Sequence, residues 1–352
     1  MEQSDLTFLK TLLETGSPSG YEGPIQQKIR SHVEPFADRI DRDWHGNLYA
    51  TCNPEGSPRI MLAGHCDQIG LQVKFIEEGG FLRVGTIGGW DMQILLGQKL
   101  QIWTSDGPIV GVIARKAIHL LTPDERKVIP EVHDLWIDIG SKNREETEQR
   151  VKIGDPVTLY LGFQPLLNNL ACAPGMDDKV GVWVVMSALK RVSQGNGQAG
   201  VVAVSTVQEE IGLRGAITSA YTAKADLGIA VDVTHATDCP GINQGQHGAV
   251  AVGKGPVIVR GPNANPKVFD RLKSIAESEN IPYQVSALAK AASNDAAALQ
   301  LSRGGQATAV VAIPNRYMHS PVEVISLDDL EHAADLIARF CLSLTLECDF
   351  TP

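Results

Sequence analysis

Eight residues of this chain have types and settings that could do chemistry together: His65 and Asp67, Asp177 and Asp178, Glu209 and Glu210, Asp232 and His319. Most lie at the same kind of place, the end of an apolar run or the loop beyond it. His65 and Asp67 follow Arg59–Ala63. Glu209 and Glu210 follow the β-branched run Val201–Val207. Asp232 lies near the end of Leu227–Val233, and His319 comes shortly after Thr308–Ile313. Asp177 and Asp178 precede a helical stretch, where carboxylates also favour the N-terminal dipole. In an extended chain residues i and i+2 share a face, so His65 and Asp67 act together and Cys66 points away as a packing residue. Two imidazoles with several carboxylates, and no cysteine set, suit zinc, cobalt or manganese rather than a structural cysteine–zinc site. More than four ligands imply two ions roughly 3.5–4 Å apart, with one carboxylate bridging. The chemistry of such a centre is hydrolysis: a polarised carbonyl, a water with its pKa lowered towards ~7, and a non-ligating carboxylate to take its proton. On a regular strand Glu209 and Glu210 alternate, so one ligates while the other faces the water.

Taken singly, each residue has an ordinary explanation: a surface or core histidine, a helix N-terminal acid pair, a solvated strand-to-loop corner. The coincidence of several strand-end ligands outweighs these. A glycoside hydrolase using two carboxylates leaves His65, Asp232 and His319 without a role, and adjacent glutamates on a strand flank a glycosidic bond poorly. A metal-binding scaffold without turnover is disfavoured by the complete ligand set with its base retained. No HExxH, P-loop, GxGxxG or GxSxG motif occurs.

The elements that must position these residues alternate between strand and helix on either side of a different central region. The pattern predicts helices near Asp5–Glu14 and Pro24–Val33, strands at Arg59–Ala63, Val201–Val207, Leu227–Val233 and Thr308–Ile313, and helices at Pro266–Glu279, Ser293–Ser302 and Leu327–Leu344. A further helix follows Met176–Gly181 as far as about Arg191. Between about Leu71 and Gln164, short alternating segments separated by Gly, Asp and Pro predict a small β-barrel or sandwich. The expected fold class is α/β, an open mixed sheet flanked by helices. Residues 1–70 and 166–352 would form the catalytic domain, with 71–165 inserted as a β domain.

The 352 residues, 43% hydrophobic and 20% charged, have an ordinary globular balance. A formal net charge of −10 argues against nucleic acid or an anionic membrane as partner and accords with a site that collects cations. Six cysteines without CxxC spacing, an acidic amphipathic N-terminus and no long apolar run point to a cytoplasmic protein.

Six stretches together resemble a known family, the glutamyl/deblocking aminopeptidases that form tetrahedral particles, some of which carry the name cellulase or endoglucanase. These are GHCDQIG (64–70), MDDKVG (176–181), VQEEIGLRGA (207–216), AVDVTHA (230–236), GKGPVI (253–258) and IPNRYMHSPVE (313–323). The resemblance implies a zinc-aminopeptidase-like catalytic domain and removal of N-terminal residues from short peptides. It implies two divalent metal ions per subunit, zinc or cobalt foremost and manganese suitable, held by His65, Asp177, Glu210, Asp232 and His319, with Asp177 bridging. Glu209 would be general base and then acid, and Asp67 would orient His65. The inserted β domain would mediate dimerisation, with dimers assembling into a dodecamer. Gln68, where an acid is expected, and Lys179, where Arg is common, depart from the family pattern without replacing an expected ligand.

Overall fold

A computed structural model describes all 352 residues. The chain opens with helices Gln3–Glu14 and Gly23–Val33, whose buried Leu9, Leu12, Ile25 and Ile29 recur at helical spacing and face the core. Strands β1 (Arg39–Arg42), β2 (Leu48–Cys52) and β3 (Arg59–His65) follow.

Six strands then close into an antiparallel barrel: β4 (Gly70–Ile76), β5 (Leu82–Ile87), β6 (Lys99–Thr104), β7 (Gly107–Ala114), β8 (Trp136–Asp138) and β9 (Pro156–Leu159). Of the two expected forms, barrel and sandwich, the barrel is the one present. It encloses 14 buried apolar residues of its own, separate from the 53-residue core of the main sheet.

Beyond the short β10 (Gln164–Pro165) and β11 (Leu170–Ala173), the chain returns to the first layer. Here lie β12 (Gly200–Thr206), β13 (Leu227–His235), β14 (Val257–Arg260), β15 (Gln284–Ala287) and β16 (Ala307–Asn315). The eight-stranded sheet has the order β1-β2-β12-β3-β13-β16-β14-β15. Its centre, β12-β3-β13-β16, is parallel, and β2 and β14 join it antiparallel. Every residue of β12 is buried, as the unbroken Val/Ala run requires of a strand covered on both faces. A last strand, β17 (Glu323–Ser326), pairs with β11 in a three-stranded sheet.

The helix Met176–Ser193 crosses the middle of the main sheet and is buried almost all round, with helix Leu327–Leu342 packed over it. Its approach to the sheet is close. A Cβ on Gly64 in β3 would sit 2.6 Å from the main-chain carbon of Gly181, so the strand has no room for a side chain there. This contact brings the helix start against the end of β3, and with it Asp177 and Asp178 against His65.

Candidate metal centre

The C-terminal ends of the parallel strands open into a cavity of about 760 Å³. His65 ends β3, Asp232 stands on β13, and His319 lies just beyond β16. Asp177 enters from the start of the central helix, where it and Asp178 have non-helical backbone angles and share a cis peptide. Glu209 and Glu210 come from the turn after β12. Five chain segments distant in sequence thus deliver their acids and imidazoles to one place, as expected of an open α/β sheet.

The two glutamates do not alternate as a strand would have them. β12 ends at Thr206, and Gln208 takes a left-handed φ of 57°. Residues 209–213 then wind as a turn, with the amides of Gly212 and Leu213 both donating to the carbonyl of Glu209. Both carboxylates consequently reach the cavity. Glu209 joins His65 and Asp232, while Glu210 joins Asp177 and His319, in two groups whose ligand atoms lie within 4.8 Å of one another.

Asp177 stands between the groups. Its Oδ1 is 3.1 Å from His65 Nε2, and its Oδ2 is 3.1 Å from His319 Nε2. Asp232 Oδ1 is 3.9 Å from the same His65 nitrogen. The other ring nitrogen of His65 faces the main-chain oxygen of Asp67 at 3.1 Å. A carbonyl there can only accept, so in the neutral ring the proton sits on Nδ1 and the Nε2 lone pair is left for a cation.

The Asp67 carboxylate lies 3.5 Å from His65 Nδ1, and its shorter contacts are elsewhere. It accepts from the amides of Glu209 and Glu210 at 3.0 and 3.2 Å, and from the Ser19 hydroxyl at 2.7 Å. Asp67 is therefore the anchor of the glutamate turn. Glu22, also buried, accepts from the amides of Gly20 and Gln208 and completes that support. Asp178 accepts from the His65 amide, and Asp295 accepts from the Thr206 hydroxyl. Glu323 binds the amides of both His319 (2.8 Å) and Asp177 (3.3 Å). Sequence reasoning passed over Glu22, Asp295 and Glu323. Only Glu323 carried a signal, since it closes the same stretch that holds His319.

No lysine or arginine lines the cavity, so the carboxylates have only imidazoles as counter-charges. Burial, reinforced by Asp232, Asp295 and Glu210 and opposed by His65, pushes the Glu209 carboxyl up to about 9. Burial raises Asp232 and Asp178 well above the carboxylate range and takes Glu323 to about 8. For His65 burial opposes the charge, yet Glu209, Asp177 and Asp67 outweigh it and hold the ring well above its usual value. The side chains of Asp177 and Glu210 raise His319 to about 11. The buried Glu210 Oε1 has no hydrogen-bond donor, His319 Nε2 at 3.4 Å being poorly aligned. An acid-rich cluster with an orphaned oxygen and no fixed cation fits the donor set of a divalent metal site.

The M42 glutamyl aminopeptidase family matches residues 46–336. The chain belongs to this family. It is 34% identical over 355 residues to the lysyl aminopeptidase of Pyrococcus furiosus, with 99% of each chain covered. The TET aminopeptidase of a marine sediment Thaumarchaeota archaeon superposes with a TM-score of 0.93 at 36% identity, covering 98% of this chain and 97% of that one. The TET1 peptidase of Pyrococcus horikoshii, which can assemble into a tetrahedron or a large octahedral shell, gives a TM-score of 0.86 at 31% identity, covering 97% and 100%. As a member of the M42 family the chain is an aminopeptidase, a hydrolase acting at peptide N-termini, and the cavity with its acid and imidazole groups is its candidate reaction centre.

The departures noted at Gln68 and Lys179 meet one another. The fully buried Lys179 ammonium donates to Gln68 Oε1 and, at 2.8 Å, to the Thr15 carbonyl. Burial lowers its pKa to about 7. The pair fastens the segment that carries His65 and Asp67 to the end of the first helix, outside the cavity.

Proposed function

We propose that the M42 chain removes N-terminal residues from short peptides with two divalent metal ions per subunit, held by His65, Asp177, Asp232, Glu210 and His319. The observation that carries the reading is the placing of Asp177, with one oxygen toward His65 and the other toward His319. The residues that would hold the ions are His65 and Asp232 on one side of Asp177 and Glu210 and His319 on the other. When bound, the ions supply Lewis acidity to the scissile carbonyl and to the attacking water.

The protein's own part is to hold and move the proton. Glu209 accepts it from the water that attacks the carbonyl carbon, and delivers it to the leaving nitrogen as the C–N bond breaks. Asp67, by accepting from the Glu209 amide, fixes its backbone. The distance from Glu209 to His65 Nε2, 3.9 Å, also favours a second reading in which Glu209 ligates.

One experiment separates them. Glu209→Gln is expected to lower kcat on an aminoacyl chromogenic amide by at least ~10² while bound metal stays near wild type. Loss of metal in that variant would make Glu209 a ligand. His65→Ala and His319→Ala should reduce metal content instead. Chelation followed by add-back of zinc, cobalt or manganese identifies the ion that restores turnover, since imidazole and carboxylate ligands accept all three.

The barrel segment, 71–165, is proposed as a separate domain through which copies pair, with dimers assembling further to a dodecamer. Exposed apolar side chains on it, Val110 and Val112 on β7 and Leu120, Val128 and Ile129 beyond, support the reading. The assemblies of the similar TET peptidases support it too. Light scattering of the purified chain tests it. A cytoplasmic location is proposed on the six free thiols. No helix is long and apolar enough to cross a membrane.

A further inference from the structure

The cavity has two ends of opposite character. All its acids and the imidazoles of His65 and His319 gather at one. At the other the lining is Val259 on β14 with Val310 and Ala312 on β16, and Leu288, Ala291 and Ala292 from the loop after β15, with the polar Ser293 and Asn294 next along that loop and Thr234 and His235 at the end of β13. Ala312 pairs with Asp232 in the parallel register of β13 and β16, so this lining begins directly beside the proposed centre. The loop is pinned where it returns: the Ala292 amide donates to Asn263, and Asn294 caps the helix Asp295–Gln300.

We propose that this apolar end is the subsite for the side chain of the substrate's N-terminal residue, and that it selects neutral aliphatic side chains and rejects acidic ones. The inference rests on the proposed reaction centre, which puts the scissile carbonyl beside Asp232 and Glu209.

Its physical basis is what the wall lacks. A glutamyl side chain would leave water for a surface of Val, Leu and Ala carbons, facing a cluster already rich in carboxylates. No guanidinium or ammonium lines the cavity to compensate, and the one further imidazole, His235, is exposed at the end of β13. The cations on flanking segments are engaged or outside. Arg260 lies over the Phe269 ring, Arg316 is held by the Asp238 carboxylate, and Lys290 is exposed and does not line the cavity. A lysyl side chain finds no carboxylate on the wall either, but the field of the cluster attracts rather than repels it. The expected order is therefore leucyl or methionyl first, lysyl next, glutamyl last. The small Ala291, Ala292 and Ala312 leave the width that a branched side chain fills.

The test is a panel of leucyl, methionyl, alanyl, lysyl and glutamyl chromogenic amides on the metal-loaded full-length protein. Leucyl should exceed glutamyl by about a hundredfold or more in kcat/KM, the discrimination open to a site that leaves a buried charge unpaired. Ala292→Arg should then raise glutamyl turnover and reduce the leucyl-to-glutamyl ratio at least tenfold. Leu288→Ala should narrow the preference for leucyl over alanyl. Wild-type protein that cleaves the glutamyl amide as well as the leucyl one overturns the subsite while leaving the reaction centre intact. So does an unchanged ratio in folded Ala292→Arg. Silence across the whole panel with metal bound overturns the reaction centre, and the subsite with it.

Discussion

Asp67→Asn changes one oxygen to an amide nitrogen without altering volume, and the structure says where the difference falls. The carboxylate accepts three donors, the Glu209 amide at Oδ1 and the Glu210 amide and Ser19 hydroxyl at Oδ2. An asparagine best keeps its oxygen where two donors meet, which turns its NH₂ toward the Glu209 amide 3.0 Å away. One charge-assisted hydrogen bond, about 1.5–3 kcal/mol, is then replaced by two donors facing each other. The partly buried amide left without an acceptor adds about 1–3 kcal/mol.

A total of roughly 3 kcal/mol appears in stability if the turn stays in place, or in turnover if it moves. In the second case it corresponds to about a hundredfold in kcat. Because Asp67 is not among the proposed ligands, and His65 Nδ1 also faces the Asp67 main-chain oxygen, metal content should stay near wild type. The assay is kcat and KM on the preferred aminoacyl amide, with metal analysis and thermal unfolding on the same samples. A kcat within twofold of wild type together with an unchanged Tm would refute the anchoring role.

Three other perturbations follow from buried groups. Glu22, pushed up to about 7 mainly by burial, binds protons more readily folded than unfolded, so wild-type stability falls as pH rises from about 4.5 to 7. Glu22→Gln keeps the Oε1 acceptor, so by urea unfolding it should match wild type near pH 4 and exceed it above pH 7, by up to about 3 kcal/mol. Lys179 has the opposite sign. Its folded pKa near 7 is below the unfolded value, so its ionisation penalty is present at neutral pH and fades as pH rises toward 10. Gln68→Glu supplies a counter-charge and should raise Tm at pH 7, an advantage that shrinks in alkali as Lys179 loses its proton. Gly64→Ala inserts a Cβ 2.6 Å from the Gly181 backbone and should cost more than about 3 kcal/mol, read as loss of soluble protein or a Tm lower by many degrees.

The ligand-type residues were legible because each sits at the end of an apolar run, and in a parallel sheet such ends share one edge. That pattern picked out His65, Asp67, Glu209, Glu210, Asp232 and His319 as candidates, with Asp177 and Asp178 drawn in by their helix start, while the choice of ligands among them came only from the resemblance to the aminopeptidase family. The strand ends shifted by only a residue or two, and the barrel's alternating segments lay close to where the spacing put them. What sequence alone misplaced was decided by contacts between distant residues. Alternation failed at Glu209 and Glu210 because Asp67 and Glu22, more than 140 positions away, bend the chain after Thr206. The strands β14 and β15 escaped notice because each has four residues and β15 alternates half-buried with exposed positions. The helix expected from Ser293 starts at Asp295 instead, because the Asn294 side chain accepts from the Ala296 amide and so ends the loop. That shift of two residues leaves the cavity wall as loop.

The same topology explains why so much acid can be concentrated in one place. Asp67, Asp177 with Asp178, Glu209 with Glu210, Asp232, Asp295 and Glu323 come from six separate segments, so most of their mutual repulsion, beyond that within the two adjacent pairs, is created by folding. The imidazoles of His65 and His319 oppose it locally, and burial, with repulsion from neighbouring acids added to it, still raises the carboxyls of Glu209, Asp232 and Glu323. In the proposed reading two divalent ions bring four positive charges to the folded state alone. Their binding free energy then adds to folding, while acid competes with it by protonating the ligands. On that reading the free concentration of metal would set the stability of this fold as well as its activity.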